Sequence, residues 1–166
     1  DIKGYTQTRE SKMNQVYSEE YKGYRITVYQ DTDSPSPRGE YSSFGECGFG
    51  SMICFHNRYD LGDKKIYDHE KYPIVFKEWI KKNKNNIVAL PIYLFDHSGL
   101  RMDTDNQMFA MCDPHGWDWG MVGYIYATKD DIRKEFGVNK VTKKIKEKAI
   151  NILKSEISEY DDYLSG

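Results

Sequence analysis

The chain has 166 residues, with 24 basic and 26 acidic side chains and a formal net charge of −2. That length suits one domain with a real core that needs neither disulfides nor a structural metal. Its 14 Tyr, 7 Phe and 3 Trp exclude wholesale disorder, near-neutral charge disfavours direct nucleic-acid binding, and no apolar run reaches the ~18 residues of a membrane span.

Residues 1–20 are polar, with only Ile2, Met13 and Val16 as aliphatics and no signal-peptide pattern. They predict a flexible lead-in, with a single α+β domain over 21–166. Tyr24 to Gln30 alternates β-favouring side chains and predicts a strand. The breaker cluster Asp31-Thr32-Asp33-Ser34-Pro35-Ser36-Pro37 ends it, and four glycines between Arg38 and Gly50 predict a long surface loop.

Ser51 to His56 predicts a second strand, followed by a polar turn and a helix around Pro73 to Lys82. Pro73 fits a first turn, where its missing N–H is not needed, and Val75, Trp79 and Ile80 share one helical face. Ile87 to Phe95 is the most apolar stretch and predicts a strand buried on both faces, with Pro91 marking a bulge or an unpaired edge. Met121 to Ala127 predicts a fourth strand. Thr128 then caps a helix that carries Asp130 and Asp131 in its first turn and stops at Gly137.

A final helix is predicted from the stripe Ile145, Ala149, Ile152, Leu153, Ile157, Tyr160 and Leu164, recurring at three and four. Its other face begins with Lys140, Lys143, Lys144, Lys146 and Lys148 and ends with Glu156, Glu159, Asp161 and Asp162, which predicts a solvated charged surface. The expected fold is α+β: a mostly antiparallel sheet of about four or more strands, a helix after the second strand, and two C-terminal helices.

Four polar clusters adjoin strands: Asp31 and Asp33; His56 to Asp60 with Asp63 behind; Asp96-His97-Ser98-Gly99; and Asp113-Pro114-His115-Gly116-Trp117-Asp118-Trp119-Gly120. Strand ends converge in a sheet, so these clusters are expected on one rim. Carboxylates and imidazoles gathered there would suit acid/base work or a divalent metal. The hydrolase or nuclease reading therefore uses His56, Asp96, His97 and Asp118, with Asp31, Asp33, His56, His97 and Asp118 as metal candidates. No HExxH, Walker loop or EF-hand pattern supports it. Strand-end Asp more often caps a turn, and the adjacent His97-Ser98 tend to point apart.

Trp117 and Trp119 flank Asp118. Such residues either plug the core beneath a loop or meet a partner, because Trp and Tyr are enriched where interfaces hold most of their energy. Trp117, Asp118, Trp119, Arg58 and Tyr59 are taken as the binding candidates. Few Lys or Arg frame the aromatic segments, so protein recognition is favoured over base stacking. Cys47, Cys54 and Cys112 are odd in number and widely spaced, with no CxxC, which fits a reducing cytosol.

Ser51 to Asp63, Leu90 to Gly99, Trp117 to Gly120 running into Val122 to Tyr126, and Tyr160 to Gly166 together resemble a family of small proteins encoded by bacteriophages and other mobile elements. The resemblance spans about Tyr24 to Gly166, and the Asp96-His97-Ser98-Gly99 segment carries most of it. In that family the third segment looks more like WDSGQVG, where this chain has Trp119 and Met121. The resemblance implies the cytoplasm of a bacterial host and a host protein as partner. The expected function is a stoichiometric counter-defence inhibitor, of anti-CRISPR or anti-restriction type, that binds a nucleic-acid-targeting effector; the alternative is the hydrolase, with a divalent metal.

Overall fold

The computed structural model describes residues 14–30, 36–38, 48–63, 68 and 71–166. Asp31, Asp33 and Cys47 lie outside the described residues, as does most of the loop expected between Asp31 and Gly50. The described chain falls into two compact units, a hairpin and a body that begins at Ser36.

The hairpin pairs β1 (Gln15–Tyr21) with β2 (Tyr24–Tyr29) antiparallel. Lys22 and Gly23 join the strands, both at positive φ (50° and 80°), the two-residue type I′ turn whose twist matches that of the flanking strands. Residues 15–20 are therefore strand, and the compact unit that holds the hairpin ends at Pro35. Residues with weak aliphatic content form a strand here because the turn supplies their partner.

In the body the α+β expectation holds. Four antiparallel strands lie in the order β3-β6-β4-β5: β3 (Ser51–Cys54), β6 (Trp119–Thr128), β4 (Ile87–Asp96) and β5 (Leu100–Asp103). Of the four predicted strands, three are in this sheet; Tyr24–Tyr29 belongs to the hairpin, and β5 takes the fourth place. At Pro91 β4 has a neighbour on one side only, since β5 pairs with it only over Tyr93–Asp96. The bulge lies one residue on, between Ile92 and Tyr93, where β6 inserts Val122.

Strand alternation assigns the two faces of the sheet. Met52, Cys54, Val88, Ile92, Leu94, Ile125 and Ala127 are buried in one core with Ala149, Leu153, Ile157 and Tyr160 of α4 (Lys143–Ser165) and Ile132 of α3 (Lys129–Phe136). On the other face, α1 (Tyr72–Asn83) sets Phe76 against Tyr124 and Tyr126, and Trp79 against Tyr126. The inward stripe of α1 is Tyr72, Phe76 and Trp79 rather than one through Val75, which is exposed. Thr128 caps α3 as expected, in a reciprocal box with Asp131, and Gly137 ends it in the left-handed conformation. The short α2 (Gln107–Cys112) lies between β5 and β6. Among the described residues no helix is long and apolar enough to cross a membrane.

Candidate functional site

β6 is antiparallel to both β3 and β4, so β3 and β4 run parallel to each other. Their C-terminal ends therefore arrive at the edge of the sheet where β6 begins. This topology brings three of the four polar clusters onto one rim, and the fourth, Asp31 and Asp33, lies outside the described residues. The Asp96 amide donates to the Asp118 carbonyl at 2.7 Å, and the Phe55 amide donates to the Val122 carbonyl at 2.7 Å, extending the ladder into the rim.

A cleft of about 400 Å³ opens there, within the range of small ligand sites. His56, Arg58, Asp96, Trp117, Asp118 and Trp119 line it over a floor of Leu94, Gly120 and Val122. Asp96 takes a 3.1 Å salt bridge from Arg58 and a 3.2 Å hydrogen bond from the Tyr59 hydroxyl. The Arg58 guanidinium also sits over the Tyr59 ring, 5.0 Å from its centroid. His97 Nδ1 meets Asp118 Oδ2 at 2.8 Å. His56 Nδ1 accepts from the Arg58 and Tyr59 amides, both at 3.2 Å, which assigns the proton of the neutral ring to Nε2.

The loop before β6 is held from within. Asp113 accepts from the Asp118 amide at 2.8 Å and the His115 amide at 3.1 Å, and its carbonyl accepts from the Trp119 indole at 2.8 Å. The Asp118 amide, with those of Trp117, His115 and Gly116, holds the Asp113 carboxyl below the usual range against the opposing effect of desolvation. Trp119 turns inward against Tyr93 and is half-buried. Trp117 is 84% exposed, and its ring stacks on that of His115. The two tryptophans thus differ: Trp119 packs against Tyr93 and Trp117 is presented.

The sequence candidates separate in the same way. Arg58, Tyr59 and Asp96 form one hydrogen-bonded group, and His97 and Asp118 form another. His56 caps its own turn. Among the described residues no three His, Cys, Asp or Glu side chains come together so as to hold a metal ion. His56, His97 and Asp118 are therefore not gathered into one ligand set. Asp63 leaves the rim altogether. Ser98 stands in the left-handed conformation at φ 60°, at the tip of the β4–β5 turn.

Asp63 instead joins a buried network that no local pattern in the sequence announces. Arg38, 5% exposed, donates to Asp63 at 2.8 and 3.2 Å, to Glu156 at 3.1 Å and to the Gly50 carbonyl at 2.6 Å. Asp63 also accepts from the Met52 amide at 2.6 Å and Glu156 from the Gly50 amide at 3.0 Å. A Cβ at Gly50 would meet Leu153 at 2.3 Å, so only glycine lets the chain lie this close to α4. Burial, reinforced by the Asp63 carboxylate, pushes the nearby Cys54 thiol up to about 12, leaving it without thiolate reactivity.

A second buried carboxylate, Asp161, accepts from Arg101 at 2.7 and 3.0 Å and from the Met102 amide at 2.6 Å, tying β5 to α4. Glu156 and Asp161 thus turn inward, where the charge pattern alone predicts solvent.

No protein-family model matches the chain, and no curated protein or solved structure matches it either.

Proposed function

We propose that the protein acts by binding another protein, through a surface centred on Trp117 and the cleft beside it. The observation that carries this reading is the combination of Trp117's exposure with the Asp113 hydrogen bonds that close the loop presenting it. A loop closed by hydrogen bonds loses little backbone entropy on docking, and Trp is prominent among residues that dominate binding energy. Met108 and Met111 of α2, in the same β5–β6 connection, are also exposed and add adaptable apolar area.

The finer reading takes its partner from the resemblance to phage and mobile-element proteins. A host nucleic-acid-targeting effector would be bound stoichiometrically and inhibited, as a counter-defence protein does. Expression in a bacterial host with an active CRISPR or restriction system tests this. The wild-type chain is expected to restore plating of a targeted phage and Trp117→Ala is not. Failure of the wild type to restore plating against either kind of system sinks the counter-defence reading.

A second reading, a hydrolase, is favoured by the His97–Asp118 pair at 2.8 Å beside the cleft, since a carboxylate that orients an imidazole is a common arrangement in acid/base sites. It predicts multiple turnover that is lost in His97→Ala and retained in Trp117→Ala. The binding reading predicts the reverse dependence and saturation at one equivalent.

A further inference from the structure

We propose, resting on the protein-binding surface above, that the cleft beside Trp117 receives an arginine side chain of the partner protein, with Asp118 as the counter-charge of its guanidinium. The charged groups that line the cleft are Arg58, Asp96 and Asp118. Arg58 and Asp96 pair with each other at 3.1 Å, and the Tyr59 hydroxyl gives Asp96 a further bond. The His56 ring, whose Nδ1 accepts from two amides, adds no charge. Asp118 has no cation of its own: among the described residues its carboxylate is bonded to His97 Nδ1 alone, at 2.8 Å. A neutral imidazole donates that bond without cancelling the carboxylate's charge. The cleft therefore carries one carboxylate in excess, on a side chain that is 41% exposed and accessible to an incoming group.

The rest of the lining selects among occupants. Asp118 lies between Trp117 and Trp119 in the chain, and both tryptophans line the cleft with it. A guanidinium is planar and weakly hydrated, so it stacks on an indole while its N–H groups reach a carboxylate; an ammonium is held back by its tighter hydration. Leu94 and Val122 offer apolar surface to the methylene stem. An anionic occupant would face two carboxylates, with Arg58 already engaged by one of them. An uncharged side chain would leave the Asp118 charge desolvated and uncompensated once the partner closed over it.

Nuclear magnetic resonance titration of the full, isotope-labelled chain with capped tripeptides tests the proposal, at about pH 8, where an imidazole is ordinarily neutral. The probes are Gly-Arg-Gly, Gly-Lys-Gly and Gly-citrulline-Gly, citrulline keeping the shape of arginine without its charge. The arginine peptide is expected to shift the Trp117 and Trp119 indole signals saturably, and to bind about tenfold or more tightly than the citrulline peptide, with the lysine peptide between them. Asp118→Asn, which keeps the backbone amide that Asp113 holds, is expected to bring the arginine peptide down to the citrulline level. Equal binding of the arginine and citrulline peptides by the wild type overturns the proposal without recourse to a variant, as does the absence of saturable binding. A lysine peptide bound as tightly as the arginine one overturns it too. So does an Asp118→Asn chain of matched thermal midpoint that binds the arginine peptide as the wild type does. Each of these failures leaves the Trp117 surface standing, because capture of a partner protein through that surface does not depend on which side chain enters the cleft.

Discussion

The Asp118 amide and the Asp113 carboxylate lie 2.8 Å apart, and this hydrogen bond closes the loop that carries Trp117. The same carboxylate takes the His115 amide, and the Asp113 carbonyl takes the Trp119 indole. One aspartate thereby holds the backbone beside the exposed Trp117 and the indole of the half-buried Trp119.

Asp113→Asn is expected to loosen this loop while leaving the sheet intact, seen as faster amide exchange at His115 and Asp118 with an unchanged thermal midpoint. A pH dependence follows from the same bonds. The folded Asp113 carboxyl is held below its ordinary value of 3.8, so the ordering is complete above that value. It is lost as the pH falls through the lower, folded value. Exchange at Asp118, corrected for its intrinsic rate, should accelerate only in that acid range in the wild type. Acceleration already at neutral pH would contradict the assignment.

Trp117 and Trp119 are expected to respond oppositely to truncation. Trp117→Ala should change stability by no more than about 0.5 kcal/mol, the usual effect of an exposed substitution. Trp119→Ala removes the indole donor to Asp113 and the contact with Tyr93, and should cost about 2–4 kcal/mol by urea unfolding.

Arg38 is the cation between two carboxylates in a nearly water-free setting, with its side chain 3% exposed. Arg38→Met leaves Asp63 and Glu156 facing each other without a counter-charge and is expected to cost about 3–5 kcal/mol. Adding Asp63→Asn and Glu156→Gln to Arg38→Met should recover part of that loss, because the uncompensated charges go with them. Equal stability of the single and triple variants in urea unfolding would contradict the network.

The Arg101–Asp161 pair is asymmetric. The Arg101 side chain is 59% exposed and that of Asp161 is 12% exposed, and only Asp161 also serves a backbone amide. Asp161→Ala should therefore cost about 2 kcal/mol or more, from the buried Met102 amide left unpaired, and Arg101→Ala less than about 1 kcal/mol. Measured losses in the reverse order would place the stabilisation in the ion pair itself.

What the sequence made legible followed local rules. Thr128 and Gly137 bound α3 because caps are short-range chemistry, and the stripe of α4 announced its buried face through spacing alone. Convergence of the Arg58, Asp96 and Asp118 segments could be anticipated because each sits at the end of a strand. Three things were missed, for different reasons. Lys22-Gly23 is a readable hairpin turn, but weak aliphatic content in Gln15–Tyr21 hid the strand it joins. β5 and α2 are short, and Leu100–Asp103 has too few residues to show a period. The roles of Arg38 and Asp161 rest on contacts 118 and 60 residues away, to Glu156 and Arg101, which no local window contains. The two tryptophans illustrate the limit within the site: their identities suggested both fates, and only the Asp113 hydrogen bonds decide which ring turns inward.

The central claim, a protein-binding surface built on Trp117, is tested most directly by affinity capture from nuclease-treated bacterial host lysate. Wild-type chain and Trp117→Ala serve as paired baits, with matched thermal midpoints established first. The account predicts that the wild type retains a host protein at one equivalent and that Trp117→Ala binds that protein about 30-fold or more weakly, the loss typical of an interface anchor. Retention of no host protein by the wild type, or of the same protein with equal affinity by both baits, would contradict it.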